Sequence, residues 1–137
     1  MEDILREILL DHVKNPKNKK ELDNPDLSGH SNNPVCGDVV KVDLHIENDT
    51  VIDVAVNGQG CAVSQASMSI FGEEIKGVTT EDIKKKINEF KSLLGTNEVT
   101  EFTTLSEEAK VLKFLEGNPS KIRCALLSWS AIEKVIK

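Results

Sequence analysis

A chain of 137 residues with 39% hydrophobic side chains is long enough to bury a core, which excludes a miniprotein that needs disulfides or a metal merely to fold. A formal net charge of −6, with four Phe, one Trp and no Tyr, excludes a general nucleic-acid binder, because phosphates need clustered Lys and Arg and unpaired bases need aromatic platforms. No window reaches the roughly 18 consecutive apolar residues of a membrane span, and the acidic start Met1-Glu2-Asp3 lacks the basic opening of a secretory signal, so a cytoplasmic location is expected.

In chain order, Glu2 to Lys14 places Ile4, Leu5, Ile8, Leu9 and His12 on one helical face, and Asn15-Pro16 ends the segment. Lys14, Lys17, Lys19 and Lys20 form a basic cluster that reads as a solvated loop or as a docking patch for an acidic partner. The polar stretch that follows to Asn33 is expected to be loop. Val39 to Ile46 alternates, with Val40, Val42, Leu44 and Ile46 on one side and Lys41, Asp43 and His45 on the other, as a half-buried strand does. Glu47-Asn48-Asp49-Thr50 supplies turn chemistry, and a second strand from Val51 to Asn57 runs through Ile52, Val54 and Val56, predicting an antiparallel hairpin.

Gly58 and Gly60 make a tight loop into a helix from Ala62 to Ile75, with Cys61 at or near its N-terminus. Thr79 and Asp82 resemble a capping box ahead of Ile83, Ile87, Phe90 and Leu94, and Gly95 closes that helix. Thr96 to Thr104 reads as a polar loop; Leu105, Ala109 and Leu112 then support a short helix that stops at Gly117-Asn118-Pro119. The last helix starts near Ser120, with Ile122, Ala125, Trp129, Ile132 and Ile136 as its apolar stripe and Cys124 in its first turn. No repeat or second domain is visible, and residues 1–137 read as one domain.

Three cysteines are an odd number, and in a reducing compartment they point to free thiols, metal ligands or nucleophiles before disulfides. In an extended segment Cys36 and Asp38 would project to the same side, and Cys61 and Cys124 near helix N-termini would favour thiolate, with Arg123 adding positive charge. Three thiolates and a carboxylate suit tetrahedral Zn²⁺ or an iron–sulfur cluster held partly by oxygen. Any one of these cysteines taken singly reads equally as a small buried hydrophobe. His12, His30 and His45 are read as core, loop and strand residues, not ligands; no His is placed beside a thiol, as a Cys/His hydrolase would require.

Four motifs in order resemble the U-type iron–sulfur assembly proteins: Asp11-His12-Val13-Lys14-Asn15-Pro16, then Asn33-Pro34-Val35-Cys36-Gly37-Asp38, then Gly60-Cys61-Ala62-Val63-Ser64, and Arg123-Cys124-Ala125. The resemblance implies an α+β fold, a small, mainly antiparallel sheet packed against several helices, with ligands Cys36, Asp38, Cys61 and Cys124. Arg123 stands where the IscU branch has histidine, and the long segment between Cys61 and Cys124, with Leu127-Ser128-Trp129, is similar to the SufU branch. That branch implies zinc, a cysteine desulfurase (SufS-like) partner, and Cys36 as acceptor of persulfide sulfur, with Lys121 retaining the charge of a branch arginine. The IscU-like alternative implies a scaffold for a [2Fe–2S] cluster passed to an iron–sulfur carrier or apo-proteins; a purely structural zinc module is the third expectation.

Overall fold

The central strand, β2 (Asp38–Glu47), pairs antiparallel with β1 (Leu27–Asn33) on one side and with β3 (Thr50–Gln59) on the other. This sheet belongs to a computed structural model that describes residues 2–95 and 104–136, with the side chains of Glu2 and Leu5 left aside. Among the described residues, five α-helices complete the α+β fold: α1 (Glu2–Lys14), α2 (Ala62–Ile75), α3 (Thr80–Leu93), α4 (Glu107–Lys110) and α5 (Pro119–Glu133). The polar loop expected over 96–104 falls almost wholly outside the described residues.

Val40, Val42 and Leu44 of β2 are buried as the alternation predicts, and α2 and α5 pack across that side of the sheet. In β3 the alternation changes phase. Ile46 pairs with Val51 and His45 with Asp53, so Ile52 is an extra, bulged residue. The bulge turns Val51 into the core and leaves Ile52 45% exposed, correcting the expectation that Ile52 shares a face with Val54 and Val56. Asp43, expected on the polar side, is also buried, where Ser28 Oγ donates to it at 2.5 Å.

The segment before Asn33 is a strand, not loop throughout. Its inward positions are Gly29, Ser31 and Asn33, which carry no apolar signal. A Cβ on Gly29 would lie 2.2 Å from the main-chain O of Ala131, so the missing side chain is what lets α5 approach β1. Ser67 Oγ donates to the main-chain O of Ala125 at 2.6 Å, locking α2 to α5 at the level of Cys124. Lower in the same interface Trp129 packs edge-on to Phe71 and stacks on Phe90, with centroids 4.8 Å apart in both pairs.

The N-terminal helix is tied down by polar contacts as much as by its apolar stripe. Ile8 and Leu9 are half-buried and Ile4 is exposed, whereas His12 is buried between Ser69 Oγ (2.6 Å) and Glu108 Oε1 (2.5 Å). Thr79 caps α3 as predicted, accepting from the Asp82 N–H at 3.2 Å. The short helix around Ala109 is one α-helical turn, α4, capped by Ser106 and continued as a 3₁₀ segment, Val111–Leu115. His30 lies exposed on β1, and His45 on β2 meets the main-chain O of Asp23 at 2.7 Å.

Candidate metal centre

Asp38, Cys61 and Cys124 come from three elements to one place: the first residue of β2, the N-cap of α2 and the sixth residue of α5. One ligand atom from each lies within 4.8 Å of the other two. A tetrahedral zinc with Zn–S bonds of about 2.3 Å holds its sulfurs about 3.8 Å apart, so the group needs only a small contraction to close on an ion. The donor set, two sulfurs and one carboxylate oxygen, also suits zinc.

Cys36 stands outside this group. It is exposed on the turn 34–37 between β1 and β2, with its Sγ 3.9 Å from Ser120 Oγ at the start of α5. Cys36 and Asp38 were expected to project together, but Gly37 adopts φ +74, so the backbone turns between them and only Asp38 is buried. The sequence-predicted residues therefore divide: three donors inside, one thiol on the rim.

Two residues not singled out from sequence hold the inner group. Ser64, one helical turn beyond Cys61 and 1% exposed, donates through its hydroxyl to Asp38 Oδ2 and lies 3.9 Å from Cys61 Sγ. Asn33, 6% exposed, donates through Nδ2 to Cys124 Sγ at 4.0 Å. The signals were present, a Ser three residues after Cys61 and an Asn-Pro ahead of Cys36, but neither reveals its partner without the fold. Gly60 completes the cradle: a Cβ there would lie 2.8 Å from both Asp38 Cγ and Ser64 Cβ.

Electrostatics separate the three donors. Burial works to raise the Asp38 pKa, but hydrogen bonds from Ser64, Cys124 and Cys61 outweigh it and hold the carboxyl below its usual range. Burial likewise opposes a thiolate at Cys61, yet hydrogen bonding with the Ser64 backbone, with the Ser64 hydroxyl and with Cys124 brings its pKa down, despite the Asp38 charge. Cys124 goes the other way: burial, then hydrogen bonding to Asp38, push its thiol up to about 12. The expectation of a helix-stabilised thiolate at Cys124 is thus corrected, because Cys124 sits in the second turn of α5 and Arg123 points to solvent.

The model of the NifU-like N terminal domain matches residues 4–109, and the chain belongs to that family. It is 33% identical over 134 residues to the zinc-dependent sulfurtransferase SufU of Bacillus subtilis, covering 98% of this chain and 90% of that protein. It is 30% identical over 130 residues to the iron–sulfur cluster assembly scaffold protein IscU of Streptococcus pyogenes, covering 95% and 80%. A crystal structure described as an iron–sulfur cluster assembly scaffold for the SUF system, from Fervidobacterium islandicum AW-1, matches with a TM-score of 0.80 at 27% identity over 96% of this chain and 95% of that one.

Proposed function

We propose that this chain serves iron–sulfur cluster assembly as a zinc-dependent sulfur acceptor, in which Cys36 takes the persulfide sulfur of a cysteine desulfurase. The observation that carries the reading is the split of the donors: Asp38, Cys61 and Cys124 gather inside while Cys36 waits exposed on the turn that leads into Asp38. Zinc, bound by Cys36, Asp38, Cys61 and Cys124, would keep the thiols deprotonated and unreactive until a partner arrives. Asp38 is the hardest and weakest of those donors and keeps the set exchangeable.

The transfer itself needs only thiol chemistry. Cys36 thiolate attacks the outer sulfur of the partner's persulfide; a new S–S bond forms on Cys36, the partner's S–S bond breaks, and the electron pair leaves with the partner's cysteine thiolate. No outside oxidant or reductant is consumed. The exposed turn supports this role because the attacking sulfur must reach into another protein. No helix among the described residues is long and apolar enough to cross a membrane.

Mass spectrometry after incubation with desulfurase and cysteine tests the proposal. The expected product gains one sulfur atom on Cys36, and gain on Cys61 or Cys124 with none on Cys36 would overturn it. The similarity to an IscU scaffold favours a second reading, in which the same four residues hold a [2Fe–2S] cluster for delivery to apo-proteins. Anaerobic reconstitution separates the two: a stable, transferable coloured cluster supports the scaffold, and a colourless protein retaining one zinc supports the relay.

A further inference from the structure

We propose that Asn33 is the positioning residue of the acceptor turn, tying the frame of Cys36 to Cys124; its functional meaning rests on the sulfur-relay reading, its geometry does not. Asn33 and Asp38 are the last paired residues of the β1–β2 hairpin, and the turn between them is Pro34-Val35-Cys36-Gly37. Pro34 has no N–H. Asn33 takes up all three that remain: its main-chain O accepts from Cys36 N at 3.2 Å and Gly37 N at 2.8 Å, and its Oδ1 accepts from Val35 N at 3.2 Å.

The other half of the same amide faces inward, where Nδ2 donates to Cys124 Sγ at 4.0 Å. One planar side chain therefore touches both the turn that presents the rim thiol and a donor of the inner group. That contact is long for a neutral thiol, and it strengthens when Cys124 carries charge, as it does as a ligand. Asparagine is the short side chain that offers an acceptor and a donor at once. Aspartate has only the acceptor, serine is too short to span both partners, and alanine has neither.

Two separable effects follow. The oxygen side of Asn33 sets the orientation of Cys36, and the nitrogen side sets how firmly Cys124 holds an ion. Removing a group that orients a ligand from outside typically costs 10–100-fold in metal retention. Asn33→Asp keeps the acceptor for Val35 N–H and removes the donor to Cys124. Zinc-loaded Asn33→Asp is expected to lose zinc to a chromogenic chelator about tenfold faster than wild type. In the metal-free state its Cys36 should be alkylated at a rate within about twofold of wild type, because the turn is intact.

Asn33→Ala loses both halves. It should lose zinc equally fast and, with desulfurase, show kcat for persulfide transfer about tenfold lower with KM nearly unchanged, as expected of a misaimed nucleophile. Thermal unfolding of both metal-free variants reports whether they fold, and the near-isosteric Asp variant keeps the test open if the Ala variant does not. Zinc release from Asn33→Asp at the wild-type rate, or an unchanged kcat in folded Asn33→Ala, overturns the proposal. If wild type accepts no sulfur, the relay reading falls, while zinc release and alkylation still decide the role of Asn33.

Discussion

Ser64 Oγ donates to Asp38 Oδ2 below the protein surface, where the two residues are 1% and 2% exposed. This bond, with those from the cysteines, lets a buried carboxylate keep its charge. Ser64→Ala should raise the Asp38 pKa and cost the metal-free fold about 1–3 kcal/mol, the usual penalty for stranding a buried acceptor. A carboxyl held below its ordinary range stabilises the fold above that range and loses its contribution as pH falls through the folded pKa. The variant's acid-unfolding midpoint, followed by circular dichroism, should therefore move to higher pH; an unmoved midpoint would show that Ser64 does not hold the charge.

Cys124 carries the opposite shift. Burial and the hydrogen bond to Asp38 push its thiol from the ordinary 9.0 up to about 12, so at neutral pH it holds its proton more firmly than an ordinary thiol. Burial to 1% exposure slows attack further. In the metal-free protein, site-resolved alkylation should label exposed Cys36 first and Cys124 last. Because its folded pKa is raised, this thiol's contribution to the metal-free fold is complete below pH 9 and drains away as pH climbs toward 12. Zinc binding at neutral pH should release the Cys124 proton, seen as a calorimetric heat that changes with buffer ionisation enthalpy; buffer-independent heat would contradict it.

Gly60→Ala probes the cradle without removing any donor. Its Cβ would sit 2.8 Å from Asp38 Cγ and Ser64 Cβ, so the carboxylate and the serine must move apart. Overpacking of this kind typically costs 1–3 kcal/mol. Zinc content after purification should fall well below one per chain, measured by metal analysis; full zinc with wild-type stability would mean that the cradle yields freely.

Gly29→Ala tests the fold that carries the site. A Cβ 2.2 Å from the Ala131 carbonyl must part β1 from α5, and α5 bears Cys124. A loss of about 1–3 kcal/mol in urea denaturation is expected, together with weaker zinc retention. Stability loss with zinc held as in wild type would show that the two ends of α5 are uncoupled.

Helices and the central hairpin could be read from sequence where periodicity was strong, as in α3 between its Thr79 cap and Gly95. β1 was missed because its inward face is Gly29, Ser31 and Asn33, small or polar residues admitted by the nearness of α5 and by hydrogen bonds. The bulge at Ile52 broke an alternation that looked regular. At the site, the four candidate ligands were legible as residues, but their division was not: a positive φ at Gly37 decides that Cys36 faces out. The basic cluster also divides, since Lys20 Nζ meets Asp53 Oδ1 at 2.7 Å. Lys20 is exposed but engaged by Asp53, so Lys14, Lys17 and Lys19, exposed as well, are the part of the cluster that an acidic partner surface would meet.

The most direct test of the account is cysteine-dependent sulfide release by a cognate desulfurase, measured with the zinc-loaded wild type and with Cys36→Ala. The account predicts strong stimulation by the wild type and none above background with the variant, although Asp38, Cys61 and Cys124 remain in place. Equal stimulation by the two proteins would contradict it.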